Sequence, residues 1–184
     1  MFPDGYSHYT RSCRRAGKTP NKQLAKFATR YKMAGQLDSI NLFDHSETSN
    51  GLYLHAMRIT FAHTALECLQ SFAGEKIPVK NLQVANTIRA MKSDKAKEFF
   101  LDEADSSLKK ELRKFYNSKK DSNLNPICAI IRHSMCHGQF NPTASGLNNK
   151  AGIAILQSIE ESIFKAMNDA ARLIFQEEMD HLDA

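Results

Sequence analysis

Apolar residues recur every three to four positions along most of this chain, the spacing of one helix face, and no segment reads as a convincing strand. Leu24, Phe27, Ala28 and Tyr31 predict a first helix over about 21–34, with Asn21 as its cap and Gly35 as its stop. A polar loop, DHSETSNG, covers 44–51. The next helix, about 52–72, is striped by Ala56, Ile59, Ala62 or His63, Leu66 and Leu69, and Gly74 and Pro78 then punctuate the chain. A short helix over 81–91 leads into a longer one over 94–118. That one sets Phe99, Leu101, Ala104, Leu108, Leu112 and Phe115 among charges, as a surface helix of a bundle does. Asn125 followed by Pro126 starts another helix that ends at Gly138, with Pro142 beyond it. The last runs over about 150–178, with Leu156, Ile159, Ile163, Met167, Ala170 and Ile174 as its stripe.

The first 20 residues show no such period. Pro3, Gly5, Gly17 and Pro20 interrupt them, and they read as a flexible basic arm ahead of one domain over 21–184. The whole predicts an all-α fold: an antiparallel up-and-down bundle of four to five helices, with one short extra helix. A chain of 184 residues is long enough to bury a core of that kind.

Charge changes the picture at one end only. Residues 1–32 hold eight Lys or Arg against the single acid Asp4, a net +7, whereas the chain totals +5 and its other 152 residues sum to −2. Such a block attracts a polyanion by releasing counterions, which makes Arg11, Arg14, Arg15, Lys18 and Lys22 candidates for nucleic-acid binding. A solubilising tail is the alternative reading. Cys13, Cys68, Cys128 and Cys136 form no CxxC pair and are too sparse for a disulfide scaffold, which points to a reducing compartment. The stretch MFPDGYSHYTRSCRR lacks the apolar centre of a secretory signal, and its prolines and glycines spoil the amphipathic helix of a transit peptide. The longest apolar run, 127–131, is too short to cross a bilayer. A cytoplasmic protein without membrane contact is therefore expected.

The segment ICAIIRHSMCHGQFNPTA, 127–144, carries the candidate chemistry. On a helix begun at Pro126, Ile127, Ile130, Ile131 and Met135 share the core face, and Arg132 and His133 lie off it. His137 falls at the edge of that face in the last turn. Arginine offers a planar fork of donors that grips phosphate, and histidine exchanges a proton near neutral pH. Together they suit cleavage of a phosphodiester by a neighbouring ribose 2′-hydroxyl, which needs acid–base help and charge stabilisation. Five residues separate Arg132 from His137, so on an ideal helix they diverge by about 140°. Either the last turn unwinds at Gly138, or a second copy completes the site across a two-fold axis.

RHSMCHG, 132–138, resembles the signature of the HEPN family: Arg, a polar residue, then His after four intervening positions, with Gly next. Its place before the final long helix of a bundle is also similar, and the likeness covers about 52–178. The resemblance implies a homodimer with a composite site that cuts RNA and leaves 2′,3′-cyclic phosphates without a metal. It further implies a toxin of a toxin–antitoxin pair or a phage-defence component, so that an antitoxin or regulatory protein becomes an expected partner. Carried onto this chain, Arg132 binds phosphate, His137 acts as acid or base and His133 orients them. Some members add an acid on an earlier helix, for which Glu67 is the candidate.

Blander readings stand beside these. Arg132 alone fits a surface arginine paired with an acid, and His137 a helix-end histidine bonded to a free carbonyl. His133 and His137 have the i, i+4 spacing of a metal site, but the glutamate of HExxH and a third ligand are missing, so neither a metal nor another cofactor is expected. His55 and His63 read as tucked beside the core. The competing function is a non-catalytic, HEPN-like module for dimerisation or for binding nucleic acid or a partner.

Overall fold

Polar side chains just ahead of the apolar stripes start several of the eight helices found among the described residues of the computed structural model, which are 2–3, 5–91 and 94–183. Asn21 accepts from the Gln23 N–H ahead of α2 (Lys22–Gln36), and Ser46 from Ser49 ahead of α3 (Glu47–Ala73). Asn81 does the same for α4 (Leu82–Ala90), and Asp105 for α6 (Ser106–Asn117). These bonds satisfy N–H groups that have no partner within the helix. The remaining helices are α1 (Tyr6–Arg15), α5 (Asp94–Glu103), α7 (Asn125–Cys136) and α8 (Lys150–Asp183). Among the described residues there are no strands, only an isolated antiparallel bridge between Lys80 and Asn123. The protein is an all-α helical bundle.

Helix α3 occupies the middle, flanked by α2, α7 and α8. Its buried Leu52, Ala56, Ile59, Ala62, Leu66 and Leu69 meet Phe27 of α2, Ile127, Ile130 and Ile131 of α7, and Leu156, Ile159, Ile163 and Met167 of α8. Helix α7 runs antiparallel to α3. Asn125 lies near the C-terminal end of α3, where it and Gln70 both donate to the Ile77 carbonyl. At the other end Tyr53 donates to the Phe140 carbonyl. Asn125 is not the cap of α7: Leu124 holds that position, while the Asn125 side chain accepts from Val79 and so ties the preceding segment to the helix.

Several boundaries differ from the sequence pattern. Residues 6–15, read as part of an irregular arm, form α1, because Tyr9 and Cys13 find apolar partners on α8. Helix α3 begins five residues early, since the Ser46 cap lets the polar loop wind into its first turn. The single helix expected over 94–118 is two, because the Asp105 side chain takes the Leu108 N–H and opens a new N-terminus. Gly35 does not stop α2, which continues to Gln36. No helix among the described residues is long and apolar enough to cross a membrane.

The turn after α7 is fixed tightly. Gly138 adopts φ +68°, a left-handed conformation that suits glycine, and both Gln139 and Phe140 N–H groups return to the Ser134 carbonyl. The loop then closes on α8 at Gly152, where a Cβ would lie 2.0 Å from the Leu147 carbonyl oxygen, so only glycine fits.

Candidate functional site

Helix α7 sets the candidate residues on its outer side by burying the opposite one. Ile127, Ile130, Ile131 and Ser134 form the buried face. Ser134 takes the place that the sequence pattern gives to Met135; its hydroxyl donates to the Ile130 carbonyl at 2.9 Å, which lets a polar side chain sit in the core. Met135 is half-buried.

Arg132 reaches across to α3. Its Nη2 lies 3.3 and 3.2 Å from the two carboxylate oxygens of Glu67, so the contact is made by one terminal nitrogen rather than by the fork. The side chains are 35% and 42% exposed, and a pair so open to solvent contributes only about 0–1 kcal/mol. Among the described residues neither Nε nor Nη1 of Arg132 has a hydrogen-bond partner, and Nε is fully buried. The acid proposed on sequence grounds is thus in contact with the arginine.

His63 joins this pair one turn before Glu67. Its Nδ1 is 3.7 Å from a Glu67 oxygen, outside hydrogen-bond reach, and is buried without a partner. Burial lowers its pKa below the ordinary 6.5; nearby Arg132 acts in the same direction and Glu67 opposes it. Burial thus favours the neutral ring. From the sequence, His63 reads as tucked beside the core. The signal for its place was the i, i+4 spacing of His63 and Glu67 in HTALE, which sets them on one face.

His133 and His137 stand one turn apart with ring centroids 4.4 Å from each other. His133 is half-buried, whereas His137 is exposed and caps the helix, its N–H donating to the His133 carbonyl. The helix does not unwind to bring His137 round, and no hydrogen bond or ion pair joins it to Arg132 among the described residues. His55 belongs to a separate cluster. Its Nδ1 lies 2.8 Å from the buried Glu160, which also pairs with Arg58 at 3.0 Å.

Of the basic residues near the N-terminus, Arg11, Arg14, Arg15, Lys18 and Lys22 are all exposed. On α1 the arginines lie away from the Tyr9–Cys13 face. Arg30 instead donates to the Thr64 carbonyl, and Lys32 lies over the Phe2 ring. Among the described residues no three His, Cys, Asp or Glu side chains are grouped to hold a metal ion. Grooves of about 590 Å³ between α4 and α8, and of about 660 Å³ on α4, contain none of the motif residues. No family model, curated protein or solved structure matches this chain at a significant level.

Proposed function

We propose that this protein is a metal-independent endoribonuclease of the HEPN type, working as a two-fold homodimer in a toxin–antitoxin or phage-defence setting. The observation that carries this reading is Arg132, held weakly by Glu67 with two of its three nitrogens unpartnered, on the same helix as the paired rings of His133 and His137. A phosphate can displace the half-exposed Glu67 carboxylate at little cost and gain the bidentate grip that the free protein does not use. His137, exposed at the helix end, serves as the acid or base, and His133 in ring contact with it holds its orientation. Since Arg132 and His137 diverge within one copy, a dimer sets Arg132 of one copy beside His137 of the other.

The test is cleavage of single-stranded RNA by the full chain in excess chelator. Cuts that need the 2′-hydroxyl and leave cyclic phosphates support the reading, and DNA of the same sequence should survive. If RNA is bound but never cut across many sequences, the non-catalytic binding module replaces it. Sedimentation should give a dimer at micromolar concentration; a monomer unchanged at higher load would remove the composite site.

The exposed basic residues of α1 and the following turn supply affinity without sequence preference in this reading. Deleting everything before Gln36 cannot test that, because Leu24, Phe27, Ala28, Tyr31 and Ala34 of α2 are core residues. Glutamine at Arg11, Arg14, Arg15, Lys18 and Lys22 together is the suitable variant. It should weaken RNA binding and flatten its salt dependence by about 0.7 in the log–log slope for every phosphate that is no longer neutralised. An unchanged slope would make this surface a solubilising one only.

A further inference from the structure

A cleft of about 280 Å³ opens between the C-terminal half of α3, α6 and the first turns of α7. Glu67 belongs to two places at once, lining this cleft and holding Arg132. The wall on α7 is Asn125, Pro126 and Ala129, and four-residue steps from Ala129 lead along the same face to His133 and then His137. Ala129 and His133 are about 6 Å apart along the axis, within the reach of one nucleotide. His63 also lines the cleft. Its side chain is nine-tenths buried, yet its Nδ1 has no hydrogen-bond partner. A buried polar atom left unpaired is costly, and a turn of the ring that brought it to a molecule in the cleft would remove that cost.

The charges around the cleft say which part of a nucleotide enters. The carboxylates of Glu67, Glu111 and Asp121 outnumber the amines of Lys76 and Lys114. Lys76 is 88% exposed and only loosely paired with Glu111, at 3.9 Å. Such a lining gives phosphate no net attraction and accepts N–H donors. We infer that this cleft is the subsite for the nucleobase next to the phosphate held by Arg132, and that it takes a base carrying an exocyclic amino group. Its volume, that of roughly nine water molecules, suits one flat base. Adenine, cytosine and guanine present amino groups to the carboxylates, whereas uracil has only its ring N3–H, flanked by carbonyl oxygens that they repel. The inference rests on the reading of Arg132 as the phosphate ligand.

The test titrates the full chain with adenosine, cytidine and uridine 3′-monophosphates and with inorganic phosphate, following the His63 ring signals by NMR and the affinity by calorimetry. The adenosine and cytidine nucleotides should shift His63 and bind roughly tenfold more tightly than uridine monophosphate or phosphate. Ala129→Leu, which fills the cleft, should remove that gain and leave phosphate binding as it was. Arg132→Ala should weaken phosphate and nucleotides alike. Glu111→Lys, an exposed change on α6 that spares the core, should erase the preference for amino-bearing bases. Equal binding of all four probes, or unchanged affinity in Ala129→Leu, would each overturn the subsite. RNA cleavage separates this failure from that of the activity. Cutting that depends on Arg132 but is indifferent to Ala129→Leu keeps the nuclease and removes the subsite. Nucleotides bound as described, with no RNA ever cut, keep the subsite and remove the nuclease.

Discussion

Alanine at Arg132 or His137 is expected to remove most RNA cleavage while leaving the helices in place. Loss of a group that stabilises developing negative charge costs about 10²–10³-fold, the range expected for Arg132→Ala. A positioned general acid or base contributes about 10²–10⁴-fold, the range for His137→Ala. Neither residue belongs to the apolar core. His137 is exposed, and the Glu67 left behind by Arg132→Ala is 42% exposed, so water replaces its partner. Lysine at position 132 should not rescue, because an ammonium has no planar fork. His133→Ala should have a smaller effect than His137→Ala if its part is to orient its neighbour. The measurement is single-turnover cleavage of one labelled RNA, beside circular dichroism of each variant. Wild-type rates in both alanine variants would place any cleavage at another site or in a contaminant.

The long helices were legible because their stripes are long. Leu24 to Tyr31, Ala56 to Leu69 and Leu156 to Met167 each repeat the three-to-four spacing over several turns, and all of these segments pack in the core. What the pattern could not supply was tertiary. Helix α1 buries only Tyr9 and Cys13, and its apolar partner Phe175 lies about 160 residues downstream, so no local period announces it. The break between α5 and α6 hangs on one side-chain bond from Asp105, in a segment whose stripe continues through it. At the candidate site, the order Arg132, His133, His137 and Gly138 was visible in the sequence. Glu67 could be nominated, but its contact with Arg132 depends on the antiparallel packing of α3 and α7. His63 was overlooked since a histidine on an apolar stripe reads as core, and in part it is core, being 8% exposed. The cleft beside it is assembled from three helices and leaves no trace in any one of them.

Phe175→Ala should be among the most destabilising single changes in the chain, and its effect should reach α1 first. The ring is fully buried, 5.5 Å from Tyr9, 5.7 Å from Tyr6 and 6.3 Å from Phe27, and so joins α1 and α2 to the end of α8. A buried Phe→Ala change costs about 3–5 kcal/mol, a large part of the roughly 5–15 kcal/mol that holds a domain together. For a chain of this size that is a fall in Tm of roughly 6–20 °C. Helix α1 has few other anchors. Besides the aromatic cluster it is tied by the Tyr9 hydroxyl, which accepts from the Asn21 N–H at 2.8 Å. Amide exchange over 6–15 should therefore quicken more than over α3. Leu173→Ala is the control, since Leu173 is 63% exposed and such surface changes usually stay within about 0.5 kcal/mol. Because α1 carries Arg11, Arg14 and Arg15, Phe175→Ala should also weaken RNA binding without removing a charge. Denaturant titration showing a destabilisation of less than about 1 kcal/mol, with exchange over 6–15 unchanged, would mean that α1 is held by something other than this aromatic seam.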